Sequence, residues 1–395
     1  MIATVLAAAY GTFEVKELPV ASAKTVSAFV VVRAPQLSRR DLANWFVLGE
    51  AILAGSRTYT PRALLEFGAQ SGRAPEVRTW VDHMTIQVSA PGGEDGLSVA
   101  AGVAMSLAKE PTLEDDDIKS AIRMCEDVRE NRIWRSQVPY DLPWDLVTPQ
   151  AVRQLHAKTF TRKQISCIAW GDFSGAKSRE VFESSAGDWN PKSTPYDNDP
   201  TGLRPDSKYV GPVTSLELQA QILASKADLA AGIVALAGLG GGKSGALFQV
   251  IRQKMRWSYS QEAYLQPIYQ GLVPRLIILY QANDATANRA DELRQVLQGA
   301  IDGWGDADLA RMKRLALGAL EGSALWSPIL LAPGRLAGAG EFEQAAIDAC
   351  LSNIPECNRA ALADEIRTVD LARAAASARK IVDGSVTQIS GQSAK

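Results

Sequence analysis

The two halves of this chain end alike. Thr148 and Gly171 stand 23 positions apart and bracket an alanine-bearing helix pattern followed by a strand pattern; Thr368 and Gly391 bracket the same pair over the same span. Between the halves lies 187–212, GDWNPKSTPYDNDPTGLRPDSKYVGP, rich in Pro, Gly, Asp and Ser and without periodicity. That composition reads as a linker, and on either side of it the order of elements repeats. The 395 residues supply apolar side chains for two cores of about 200 residues each. We therefore expect an internal duplication of an α+β unit: a first domain over 1–190, a linker over 191–212 and a second domain over 213–395. Each would be a mixed or antiparallel sheet flanked by helices.

The first half opens with two strand patterns around Pro19-Val20-Ala21-Ser22, the second being the β-branched run Val26 to Arg33. Ser38 then caps a helix over Arg39 to Leu53, and Thr60-Pro61 starts another. A strand over Val77 to Val88 follows, then helices from Gly96, from Ile118 and from Leu146, and a strand over Ile165 to Asp172. The acids Glu114 to Asp117 precede the Ile118 helix and complement its dipole; a calcium site is the alternative. The second half offers a strand over Val213 to Leu223, an apolar helix over Ala227 to Leu236 and a strand over Arg275 to Gln281. Helices from Asn288, from Asp306 and over Val369 to Ile381 come next, and a last strand starts at Ser385.

A formal net charge of −2 argues against nucleic-acid binding, and no apolar run approaches the length of a membrane span. The chain reads as soluble, cytoplasmic or periplasmic, with Met1 to Ala9 either a fragment of an export signal or part of a first strand. The four cysteines are too scattered for a disulfide framework. Cys350 and Cys357 would pair only in an exported protein.

The stretch with the most chemistry is Ala237 to Tyr264, AGLGGGKSGALFQVIRQKMRWSYSQEAY. The run Gly240-Gly241-Gly242 suits a tight turn. Leu247, Phe248, Ile251 and Met255 recur at helical spacing with Arg252 on the flank of their face. Trp257 to Ser260 alternates as a strand would. This order resembles the second domain of the pitrilysin/insulinase-type zinc peptidases, the M16 family, in which an Arg and a Tyr seven positions apart reach the substrate chamber. Arg252 and Tyr259 have that spacing, and Arg256 is a nearby substitute. TFTRKQISCIAWGDF, residues 159–173, is similar to the family's "hydrophobic…Gly-Asp" strand. The resemblance covers nearly the whole chain. It implies two homologous domains of M16/LuxS-like metalloenzyme fold forming half of a clamshell.

Active members carry His-x-x-Glu-His on the first helix, two imidazoles holding zinc and a glutamate activating water. Aligned through Gly55-Ser56, that motif falls on Phe46 to Glu50: Phe46 stands for the first histidine, Gly49 for the glutamate and Glu50 for the second histidine. The distal carboxylate would be Glu126 or Glu130. His83 and His156 are the only histidines and share no ligand spacing. The chain is therefore expected to hold no cofactor of its own, with zinc in a partner subunit.

The resemblance implies a non-catalytic, substrate-binding subunit of a zinc-bearing M16 heterodimer. Its Arg252 and Tyr259 would face the partner's metal, bind peptide and stabilise the oxyanion. Two rivals stand beside it. One is a scaffold subunit of the same fold with no peptidase role. The other is a P-loop-like nucleotide-binding protein, since Ala237 to Ser244 lies one residue from Gly-x-x-x-x-Gly-Lys-Ser.

Overall fold

The computed structural model describes residues 14–20, 23–34, 37–80, 83–130, 142–173, 177–189, 215–220, 223, 225–258, 260–268, 271–279, 290–321 and 359–389. The chain is α+β, and its contacts divide it into two compact units that part chiefly between Arg204 and Pro205. The interval 191–212 and the segment Met1 to Ala9 lie outside the described residues, as do Cys350 and Cys357.

The first unit runs β1 (Glu14–Pro19), β2 (Thr25–Arg33), α1 (Arg39–Ile52), α2 (Pro61–Ser71), β3 (Glu76–Thr79), β4 (His83–Pro91), α3 (Glu94–Lys109), α4 (Asp115–Glu130), α5 (Pro149–Thr159), β5 (Ile165–Gly171) and α6 (Ser178–Ala186). Its sheet has the order β1-β5-β2-β4-β3, with β1 parallel to β5 and the other pairs antiparallel. The second unit runs β6 (Ser215–Gln219), α7 (Lys226–Gly240), a π-helix (Leu247–Lys254), β7 (Ser260–Ile268), β8 (Gly271–Leu279), α8 (Ala290–Asp302), α9 (Asp306–Glu321), α10 (Arg359–Thr368), α11 (Leu371–Val382) and β9 (Ser385–Ile389). Its order is β7-β8-β6-β9, all antiparallel. Read from the other edge, β9-β6-β8-β7 repeats β5-β2-β4-β3 strand for strand. The resemblance between the halves is thus one of topology, with β1 added to the first.

Local chemistry explains where the helices begin. The Ser38 side chain accepts the Asp41 amide at α1, Thr60 caps α2 ahead of Pro61, and Thr148 caps α5 ahead of Pro149. Asp370 does the same for α11. In β2, Val26, Ala28, Val30 and Val32 join the core formed with the helices, so one face of the strand is fixed by a two-residue period. Helix α7 is buried at every position from Leu229 to Leu239. A helix apolar all round belongs at the centre of its unit.

Two expectations are corrected. The single strand over Val77 to Val88 is a hairpin, β3 and β4, bent where the Trp80 amide donates to the His83 carbonyl at 2.8 Å. Trp80 is buried there, stacked on His83 at 4.5 Å, and its carbonyl accepts from Trp45 Nε1 at 2.9 Å. Burial of that indole makes the turn, with no glycine or proline to announce it. The two strands expected around Pro19 to Ser22 are present as β1 and β2, with β5 between them in the sheet. The strand assigned to Trp257 onward begins at Ser260; Trp257 and Ser258 are buried ahead of it.

His156 shows how packing sets a charge state. Its ring lies 4.4 Å from that of Phe160, and Nε2 is 2.9 Å from the Ala108 carbonyl, which can only accept. Desolvation therefore holds the ring neutral, with its pKa drawn down to about 4 despite the hydrogen bond. The unfolded chain, with an ordinary histidine near 6.5, binds the proton first. Stability conferred by the neutral ring is whole above pH 6.5 and is lost as the pH falls towards 4. Because the ring is only partly shielded from solvent, we expect a loss of about 1–3 kcal/mol over that window. Urea melts of wild type and His156→Gln at pH 7 and pH 4.5 measure it. Equal slopes in the two proteins would contradict this account.

Candidate functional site

The glycine run ends α7, and two of its members, together with Gly245 just beyond it, are there for packing. A Cβ at Gly240 would meet the Ala263 Cβ at 2.3 Å, one at Gly241 the Ala237 carbonyl oxygen at 2.2 Å, and one at Gly245 the Gly241 nitrogen at 2.6 Å. Gly242 alone needs glycine for its backbone, with φ +63°. Before the run lies a helix, where a P-loop would need a strand. The nucleotide-binding reading lacks its structural setting.

After the run, Leu247 to Lys254 winds as a π-helix, closed by the Met255 amide on the Val250 carbonyl at 2.9 Å. Leu247, Val250 and Ile251 are its buried side, while Phe248 and Met255, expected on that face, are only half-buried. The wider turn carries the buried face on 247, 250 and 251 and leaves Arg252 exposed. Its guanidinium carbon stands 5.2 Å from the centre of the Phe248 ring, a cation–π contact. Arg256 follows, exposed, with φ +55°. Tyr259 lies outside the described residues; Ser258 before it is buried and Ser260 after it opens β7. A π-helical turn recurs at functional sites more than elsewhere.

The positions aligned with the zinc motif lie on α1. Phe46 is part of the core, and Glu50 at the end of the motif is half-buried. Gly49 is buried against β3, where an added Cβ would meet Thr79 Oγ1 at 2.0 Å. An aromatic ring and a helix–strand contact occupy the space that an imidazole and a carboxylate would need. Metal-binding chemistry does not fit these side chains. Among the described residues no three His, Cys, Asp or Glu side chains converge on a common point. His83 is stacked on Trp80 and His156 lies against Phe160 with the rings tilted by 32°, and each is engaged by packing. Two of the acids opening α4 are ion-paired: Asp115 with Arg153, which holds its carboxyl below the usual range by a hydrogen bond, and Asp116 with Lys119 at 3.2 Å. An open depression of about 370 Å³ lies between the first turn of α1 and α5, near Asp41 and Lys158. Ser38, the cap of α1, lines it, and none of the candidate site residues does. No helix among the described residues is long and apolar enough to cross a membrane.

Sequence reasoning missed the unusual backbone at Arg256. No signal announced it, because a left-handed residue after a helix is normally glycine or asparagine.

Residues 146–315 match the family model described as the peptidase M16 inactive domain, a span holding Arg252, Arg256 and Tyr259. No curated protein matches the chain by sequence. Among solved structures, a protease from Helicobacter pylori is similar, with TM-score 0.69 and 13% identity over 95% of this chain and 96% of that one. A peptidase M16 inactive domain from Pseudomonas fluorescens gives TM-score 0.69 and 15% identity over 95% of each chain. A chain of Complex III2 from Candida albicans, with Inz-5 bound, gives 0.62 and 12% over 95% of this chain and 92% of that one. At such identities the likeness is one of fold, and it spans nearly the whole chain.

Proposed function

We propose that this chain, an M16-family protein carrying that family's inactive domain, is the substrate-binding subunit of a zinc metallopeptidase heterodimer. The observation that carries the reading is the fate of α1. Phe46 and Gly49 are packed into the fold, so the positions aligned with the zinc motif offer neither its first imidazole nor its general base. What it retains is a donor-bearing corner. Arg252 stands exposed on the π-helix, and Tyr259 immediately precedes β7.

The chemistry assigned to this corner is binding and orientation. A guanidinium offers five fixed donors with a permanent charge, and a phenol offers one more. Placed near a scissile carbonyl, such donors hold the peptide and favour the oxyanion over the carbonyl it replaces. Zinc and the water it activates would belong to the partner.

Co-expression with a zinc-bearing M16 subunit, followed by peptidase assays, is the test. Arg252→Ala and Tyr259→Phe are each expected to lower kcat/KM by about 10²-fold, with assembly unchanged by gel filtration. The second reading, a scaffold subunit, draws on the likeness in fold to the Complex III2 chain. Under it both variants turn over peptide at the wild-type rate, and that result would remove the substrate-binding role.

A further inference from the structure

Arg256 stands out on two independent counts. Its φ of +55° places an arginine in the left-handed region, which side chains bearing a Cβ occupy at a cost and which glycine occupies freely. It is also exposed, and no described side chain forms an ion pair or hydrogen bond with it. Arg252, four residues earlier, already lies over the Phe248 ring. A residue held at a cost, with no contact that repays it, marks a place where stability has been given up for another purpose.

The charge around it is one-sided. From Gly240 to Ser260 the chain holds Lys243, Arg252, Lys254 and Arg256 and not one Asp or Glu, although the whole protein has a formal net charge of −2. Lys243, Arg252, Lys254 and Arg256 are all exposed. Arg252, Lys254 and Arg256 lie close together in sequence with no acid between them, and an anionic ligand would relieve their mutual repulsion. Guanidinium matches carboxylate geometry through two parallel N–H···O bonds.

We propose that Arg256 binds a side-chain carboxylate of the peptide held at this corner, so that the chain selects acidic substrates. This rests on the substrate-binding reading above and adds to it a residue and a substrate class. The left-handed backbone turns the arginine out of the helical path at the point where the chain enters β7.

The test uses the full chain and two fluorescein-labelled extended dodecapeptides that differ only in a central Glu or Gln. Fluorescence anisotropy should show the Glu peptide binding wild type about tenfold more tightly. Arg256→Gly should bring that ratio to about one while leaving the thermal midpoint unchanged or raised by about 2–4 °C, because glycine relieves the backbone. Arg256→Lys should keep part of the preference. A ratio that survives Arg256→Gly overturns the proposal, as does a thermal midpoint that falls in that variant, since the arginine would then be structural. Arg252→Ala and Tyr259→Phe weaken both peptides alike if the corner binds substrate; if they do and Arg256→Gly does nothing, only the present inference fails. If neither peptide binds wild type, the substrate-binding reading falls and takes this one with it.

Discussion

Rebuilding the zinc motif as Phe46→His, Gly49→Glu and Glu50→His is expected to unfold the first unit instead of creating a metal site. Phe46 is 4% exposed, and shrinking it to a polar imidazole forfeits about 2–3 kcal/mol of burial. Gly49 is worse placed, since its Cβ would stand 2.0 Å from Thr79 Oγ1 and 3.3 Å from the Met84 methyl. A glutamate there adds an unpaired carboxylate to an apolar contact, several kcal/mol more. Together these approach the whole stability of an ordinary domain, about 5–15 kcal/mol. Gly49→Ala gives a cleaner measurement, because two effects of opposite sign compete. Helix propensity favours alanine by about 0.5–1 kcal/mol, whereas the clash disfavours it by about 1–3 kcal/mol. We expect the clash to win in a urea melt, and Thr79→Ala to restore most of the loss by removing the opposing oxygen. Gly49→Ala as stable as wild type would refute the packing account, and zinc retained by the triple variant on metal analysis would refute the larger claim.

Arg162→Met is expected to cost about 3–5 kcal/mol. Arg162 sits in a short turn ahead of β5 with its side chain 7% exposed, 2.8 Å from Glu183 on α6. Its Nε donates to the Trp189 carbonyl at 2.7 Å and Nη2 to the Gly187 carbonyl at 3.1 Å. One guanidinium thus closes the end of α6 onto β5. Removing it leaves a largely buried carboxylate and two carbonyls without their donor, whereas Glu183→Gln keeps an acceptor and is expected to cost about 1–2 kcal/mol. Cys167 gives a local readout. Burial pushes its thiol well above the ordinary range, with the Glu183 charge adding to this, so Cys167 should react slowly with a thiol reagent in the native protein, followed at that residue by peptide mapping. In Arg162→Met that reaction should speed up together with the drop in urea midpoint. A midpoint within about 1 kcal/mol of wild type would show that the pair contributes little.

Much of the fold was legible because capping and periodicity act over a few residues. Ser38 and Thr60-Pro61 each marked a helix start that the structure keeps, whereas the helix expected from Leu146 starts at Pro149 behind its Thr148 cap. The β-branched run of β2 and the apolar length of α7 likewise identified their elements. The candidate corner was legible in part: Arg252 from its spacing to Tyr259, and the glycine run as a turn. Its π-helical winding was not, since apolar residues three and four apart satisfy that helix as well as an α-helix. Arg256 was visible only as a second arginine.

What the sequence determined by itself is the inventory: most of the helical and strand segments, that two similar sets of them exist, and that Phe46, Gly49 and Glu50 stand at the positions aligned with the zinc motif. Only the tertiary structure decided that β5 separates β1 from β2, that Trp80 folds one apparent strand into two, and that Thr79 occupies the place of a side chain at Gly49. The division has a physical cause. Element identity comes from interactions between near neighbours in sequence, whereas strand order and the filling of a site depend on which distant surfaces exclude water together, and one chain alone does not encode those pairings locally.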